Sequence, residues 1–423
     1  MISLKKFILK KELYFLYFFL LLAIFNNVSH FIKKNLFGDR VDFWDFHVYW
    51  CSATKFVNGI SPYGGETIKN CLSQFNFDLY FSYPPIILKF LSFLGYFEFN
   101  TAKIIWITII VSSFFIIIFC LKKIYKIPKI FIFTLILIFT GGGLIWSALL
   151  AGNISVILYA ILSVAIYYYL KKKTSIYYLL ISIISLVKFP FLVFFALPIF
   201  QFGIKNIINS NTNEMKKIIF YFFLTLFIYF LQFQFNKELF IDFINSTISY
   251  KSDGFLLIHG TGIGIHGIID LYQNILYENY NLNIFNPSGF LSFLIHIFIS
   301  GIIFLSAYFL FHDNWKNNKL DEIKVANKQN KLLISFFIAI FICCFPRISS
   351  YDFFLLISSF FYVMRNSRIK LLSSNWNLIA TLLTISVLAV YDTRYPAFVI
   401  SSFLFLFFYL QITNKDPFFL KKN

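Results

Sequence analysis

Three aspartates at three-residue spacing, Asp39, Asp42 and Asp45, introduce the most chemically suggestive stretch of the chain, Asp45-Phe46-His47-Val48-Tyr49-Trp50. The stretch opens a helical segment that Gly59 and the turn around Pro62 bring to an end. Carboxylates placed this way can cap free backbone N–H groups, sit as a solvated face beside the positive end of the helix, or gather a cation. The third use is the least supported: no second acidic cluster completes an oxygen shell, so no metal is expected. Other polar groups stand out against apolar surroundings: Gly152-Asn153, Lys188-Phe189-Pro190, Pro346-Arg347 through Asp352, and Asp392 with Arg394. The run His259-Gly260-Thr261-Gly262-Ile263-Gly264, with His266 beyond it, has the glycines to bring backbone amides to a phosphate. It fits no nucleotide fingerprint, however, and reads more simply as a flexible loop.

The surroundings of these residues are those of a membrane protein. Of 423 residues, 59% are hydrophobic and 13% charged, about half the charged share of a globular domain. A soluble fold of that composition would expose far too much apolar surface. The 61 Phe read as generic lipid-facing hydrophobe. A net charge of +18 would suggest nucleic acid in a soluble protein. Here Lys and Arg fall in short blocks between apolar runs, the positive-inside pattern, so no nucleic-acid partner is expected. The five Cys show no metal-ligand spacing. Cys120, Cys343 and Cys344 lie in apolar runs as buried thiols. Cys51 and Cys71 share a loop where a disulfide is chemically allowed, but spacing carries no geometry, and we read them as two separate thiols.

The pattern predicts an all-α, polytopic membrane protein, a single integral membrane domain over residues 1–423. An uncleaved anchor near 13–31 follows Lys5, Lys6, Lys10 and Lys11, placing the N-terminus in the cytoplasm. A long first external loop, 33–82, comes next. Further spans are expected near 101–121, 128–149, 153–170, 218–235, 288–311, 331–346, 351–364, 375–391 and 396–412. The stretch 174–203 reads as two short helices broken at Lys188-Phe189-Pro190, and 83–97 as a helix at the membrane interface. The basic blocks then share the cytoplasmic face, with about twelve crossings. The polar residues gather on the opposite face, with a second large external loop at 236–287. A transporter more often keeps its ionisable residues at mid-membrane; clustering at one interface suggests an enzyme acting on a lipid-linked substrate.

The order of these elements resembles a known family. Asp45-Phe46-His47-Val48-Tyr49, Gly59-Ile60-Ser61-Pro62-Tyr63 and Phe81-Ser82-Tyr83-Pro84-Pro85 resemble the first external loop of glycosyltransferase family 87. Its members are GT-C-fold enzymes that use polyprenyl-phosphate sugars. Gly152-Asn153-Ile154-Ser155 is similar to that family's Gly-Gln-x-Asn step into a helix, with Asn for Gln. Lys188-Phe189-Pro190 is similar to its Lys near Pro, and Phe345-Pro346-Arg347 with Tyr351-Asp352 resembles a later Pro-Arg…Tyr-Asp element. The resemblance covers roughly residues 10 to 365. It departs at His259-Gly260-Thr261, where the family often carries an Asn-x-Ser-like patch.

The resemblance implies transfer of a sugar, typically mannose, from a polyprenyl phosphate to a lipid or glycan hydroxyl outside a bacterial cytoplasmic membrane. The partners implied are membrane lipid, the lipid-linked donor and a glycan or glycolipid acceptor, with no cofactor. Asp45, at the matching position, is the implied general base. The leaving lipid phosphate is already a stable anion and needs a cation, for which Arg347 is first choice and Lys188 second. Lys188 also reads as an interfacial, snorkelling lysine. Tyr49, Tyr63, Tyr83, His259, His266 and Asp352 are sugar or acceptor candidates. The tyrosines read more simply as an interface belt, and loop histidines are commonplace. A lipid-linked-sugar flippase, or an oligosaccharide ligase or polymerase, is the alternative class.

Overall fold

The computed structural model describes residues 43–63, 71, 81–125, 151–203, 212–252 (backbone only at 212 and 247–252), 297–298, 300–306, 308–309, 330–331, 333–338 and 340–341. Every regular element among them is helical. In chain order they are α1 (Trp44–Val57), α2 (Pro85–Leu91) running into a 3₁₀ turn (Ser92–Tyr96), α3 (Phe99–Tyr125), α4 (Ser155–Leu170) and α5 (Thr174–Val187). A second 3₁₀ segment (Phe189–Ala196) leads into α6 (Leu197–Phe202), followed by α7 (Thr212–Phe235) and α8 (Lys237–Ser252). Described helical residues between 297 and 309 and between 330 and 341 lie within or beside two of the expected spans.

Two helices, α3 and the Asn213–Phe235 part of α7, are long and apolar enough to cross a membrane. On α7, Phe220, Phe223, Phe227 and Phe230 recur at helical spacing and stay more than half exposed. Such a row is a large apolar patch in water, whereas acyl chains are as apolar as the row itself. These helices point to membrane association. The expected spans at 101–121 and 218–235 fall inside them. By contrast α4 and α5, with 16 and 14 residues, are shorter than the ~20 a straight crossing takes.

The expected break at Lys188 is present. Lys188 leaves α5 with extended backbone (φ −133°, ψ 107°). Pro190 has no N–H to continue the ladder, and the chain rewinds as 3₁₀ before α6 begins at Leu197. The 83–97 segment is likewise composite, an α turn then 3₁₀, and it packs along α1. The start of the expected 236–287 loop is helical as α8.

Helix α1 is packed into this assembly, against the Pro85–Tyr96 segment and α3, rather than lying in a solvated loop. Phe46, Cys51 and Ala53 are completely buried, with Tyr49 close behind. Close approach is made possible by Gly95: a Cβ there would lie 2.7 Å from both the Ala53 carbonyl carbon and its oxygen. One expectation is corrected here. Cys51 and Cys71 are disulfide-bonded, with Cα atoms 6.2 Å apart, inside the window a bridge requires. Spacing alone could not show it because α1 and Cys71 meet only in three dimensions. Cys120 is buried, as expected. The anchor at 13–31, the spans at 128–149, 351–364, 375–391 and 396–412, and Asp39, Asp42, His259, His266, Cys343, Cys344, Arg347, Asp352, Asp392 and Arg394 lie outside the described residues.

Candidate functional site

Asp45 lies in the first turn of α1, and the cap position belongs to Phe43, which offers no side-chain acceptor. Helix capping is therefore not what fixes Asp45. Phe43 adopts a left-handed backbone (φ 64°, ψ 36°), costly for a bulky side chain. Lys103 Nζ sits 4.6 Å above its ring, a cation–π contact that helps retain it. Strain of about 1–3 kcal/mol persists where surrounding contacts enforce it.

The contacts come from the turn before α4. Gly152 has φ 67°, and a Cβ there would lie 2.8 Å from Phe46 Cβ and 3.1 Å from Phe43 Cδ1. Its carbonyl accepts a hydrogen bond from Trp106 Nε1 at 2.7 Å. With the turn seated between α1 and α3, Asn153 reaches both ways. Its Nδ2 donates to Asp45 Oδ2 at 2.6 Å, and its Oδ1 accepts from the Ser155 backbone N–H at 2.8 Å, an Asx-type start to α4. Ser155 Oγ in turn accepts from Lys188 Nζ at 2.6 Å. The extended residue that ends α5 is thus the one whose ammonium reaches α4. A snorkelling lysine would aim its head at water; Lys188 aims it at a buried serine.

The tyrosines form one wall. Tyr49 and Tyr83 share a hydroxyl hydrogen bond of 3.1 Å, and the Ile154 N–H donates to Tyr49 Oη at 3.3 Å. Tyr63 Oη donates to the Tyr83 carbonyl at 2.6 Å. Tyr49 and Tyr63 are 2% and 6% exposed, which corrects the interface-belt reading for both, since belt tyrosines keep a wet tip. Burial, then Tyr83 and the negative charge of Asp45, push the Tyr49 phenol well above its ordinary range. Burial and Asp242 do the same for Tyr63. Both remain protonated, neutral donors. His47, stacked on Phe99 with centroids 4.2 Å apart, is lowered to about 4 by burial and then by Lys103.

The structure therefore brings together Asp45, Lys188, Tyr49, Tyr63 and Tyr83 of the expected set, and adds Asn153 and Ser155 as the links. A glycine and an asparagine just before an apolar run are a helix-start signal, but nothing in the spacing says that the asparagine reaches Asp45. Asp242 is a further addition: its Oδ2 accepts from Ser61 Oγ at 2.7 Å, tying α8 to the turn that carries Tyr63. Gln232 Oε1 accepts from the Ile86 N–H at 3.0 Å, tying α7 to the turn after Tyr83. Among the described residues no group of three His, Cys, Asp or Glu side chains gathers to hold a metal. No family model, curated protein or solved structure matches the chain.

Proposed function

We propose that this chain is a polytopic glycosyltransferase, GT-C-like with about twelve crossings, that moves a sugar from a polyprenyl phosphate to a lipid or glycan hydroxyl outside the cytoplasmic membrane. Mannose is the sugar the family resemblance favours. One observation carries the reading: segments 108 and 33 residues apart in sequence put Asp45, Asn153, Ser155 and Lys188 on one hydrogen-bonded line. A carboxylate stands at one end and an ammonium at the other, the two charges that transfer from a lipid phosphate uses.

In this reading Asp45 takes the proton as the acceptor oxygen attacks the anomeric carbon. The bond from that carbon to the phosphate oxygen breaks, and its electron pair leaves on the lipid phosphate. Lys188 meets that charge, and the N-terminal end of α4, carried by Ser155, adds its positive dipole. Arg347 supplies a second, forked cation, and Asp352, His259 and His266 complete the acceptor side. Tyr49, Tyr63 and Tyr83 shape the sugar pocket with neutral hydroxyls. The Cys51–Cys71 bridge supports an outward-facing site, since disulfides persist in oxidising compartments.

The test is incubation of the purified protein with a panel of radiolabelled polyprenyl-phosphate sugars and native lipid extract. Wild type is expected to move label into lipid or glycan from at least one donor, and Asp45→Asn to do so on the order of 10² to 10⁴-fold more slowly. Absence of transfer from every donor by wild type overturns the proposal.

A further inference from the structure

We infer that Asn153 is a positioning residue for Asp45, a neutral clamp that fixes the carboxylate while the same side chain starts α4. The inference rests on Asp45 being the base, and it deepens that reading. The geometry leaves the amide one orientation. Oδ1 must face the Ser155 N–H, because an N–H cannot donate to an NH₂ hydrogen, so Nδ2 must face Asp45. Asn153 is 5% exposed and its backbone follows Gly152, itself wedged between Phe46 and Trp106. Neither end of the clamp is left to swing. An amide holds one carboxylate oxygen through a charge-assisted bond yet brings no charge that would compete for the acceptor proton.

The clamp also favours the ionised form, since hydrogen bonds to a carboxylate stabilise it over the acid. Among the described residues, the titratable groups on the elements packed about Asp45 include His47 and Tyr49 on α1, Tyr83 before α2, Lys103 on α3 and Lys188 after α5. Asn153 itself neither titrates nor carries a charge. Replacing it changes Asp45 without altering that set, except where a charge is introduced on purpose.

Two substitutions keep an acceptor for the Ser155 N–H, so a purely structural role leaves them near normal. Asn153→Ser removes the donor to Asp45. Asn153→Asp puts a second carboxylate where the 2.6 Å bond was, and two such groups share a proton. Infrared difference titration of the purified protein, each form against its Asp45→Asn counterpart, reads the Asp45 midpoint directly. We expect the midpoint to rise by about one pH unit in Asn153→Ser and by about two or more in Asn153→Asp. Asn153→Gln, which keeps the amide, should return it towards wild type. The acid limb of the transfer rate should move by the same amounts, with kcat falling while donor KM stays within about twofold. Unshifted midpoints in both variants overturn the clamp, and if Asp45→Asn is inactive they leave the base reading standing. If wild type transfers nothing, the enzyme reading falls, while the infrared midpoints still decide whether Asn153 holds Asp45.

Discussion

Helix α5 carries a polar cluster at each end, about 20 Å apart along its axis, and the two are built on opposite plans. At its N-terminal end, Glu214 of α7 takes Lys217 Nζ at 2.7 Å and Thr174 Oγ1 at 2.8 Å on one oxygen, and Tyr178 Oη at 3.1 Å on the other. Lys217 also donates to Thr174 at 2.9 Å. Carboxylate and ammonium are one turn apart on one helix, so little chain has to be ordered to join them. The result ties α5 to α7. At the C-terminal end, Asp45 and Lys188 come from different elements and are linked through the neutral side chains of Asn153 and Ser155. That end also carries a left-handed Phe43 and a glycine whose missing Cβ is the condition for contact. The same residue types make a rivet in one place and an aimed pair of charges in the other. The link separates them: carboxylate and ammonium meet directly at the first end, and at the second they are joined through Asn153 and Ser155.

If that contrast is real, the two carboxylates respond oppositely to the same isosteric change. Asp45→Asn should lower transfer on the order of 10² to 10⁴-fold with little change in apparent Tm. Glu214→Gln should leave kcat within about threefold and lower stability by about 1–3 kcal/mol, because Lys217 and the Tyr178 hydroxyl lose an ionised acceptor. Equal losses of activity in the two variants would erase the distinction. The cations follow the same logic one step down. Lys188→Met should raise donor KM by about 10- to 100-fold, the worth of one hydrogen bond to a charged group, while Lys217→Met should leave KM unchanged. A KM effect at Lys217 instead would move the phosphate to the wrong end of α5.

Much of the C-terminal end of α5 can be read from the chain without coordinates. Pro190 announces the break after Lys188, Gly59 announces the end of α1, and the runs 101–121 and 218–235 announce long apolar helices. These are local signals, set by backbone chemistry or by apolar composition. What escaped reading is non-local. The Cys51–Cys71 bond, the burial of Tyr49 and Tyr63, and the Asn153–Asp45 hydrogen bond all depend on which elements meet. A tyrosine in a membrane protein looks the same in sequence whether it lines a belt or a buried wall. Asp242 was hidden for a different reason: its stretch carries several polar residues, Lys237, Glu238, Asp242 and Asn245 among them, so it reads as loop although it forms a helix.

The glycines sharpen the comparison at smaller magnitude. Gly152→Ala adds a Cβ 2.8 Å from Phe46 Cβ on a backbone of φ 67°. We expect a loss of about 1–3 kcal/mol and a fall in kcat, because Asn153 moves with the turn. Gly59 has a similar φ of 76° but open space around its missing Cβ. Gly59→Ala should cost only the conformational term, about 1–2 kcal/mol, with transfer retained. Thermal denaturation alongside the transfer assay separates the two. A Gly152→Ala variant of normal activity would show that the turn does not aim Asn153.

The smallest effect expected is acid sensitivity confined to the end that carries Asp45. His47 stacks on Phe99 beside Lys103, and burial with that neighbouring cation lowers its pKa to about 4. In the unfolded chain the same imidazole titrates near 6.5. The sign follows from proton counting. Between about pH 6.5 and 4 the unfolded chain binds the proton and the folded one does not, so stability falls as pH falls through that window and is fully present above it. The ring is only partly shielded from solvent, so screening trims the effect to a few degrees of apparent Tm at most. Carboxylates titrate towards the lower edge of the window, so the quantity to compare is wild type against His47→Phe, which keeps a ring on Phe99 and removes the proton site. The gap between their apparent Tm values should shift against wild type as pH drops from 7 to 4. The Thr174–Glu214–Lys217 cluster has no histidine and should leave that gap untouched: Glu214→Gln should lower both curves equally. A gap that stays constant from pH 7 to 4 would mean that His47 charges in the folded protein as readily as in water, and that its stack on Phe99 is not as closed as the geometry has it.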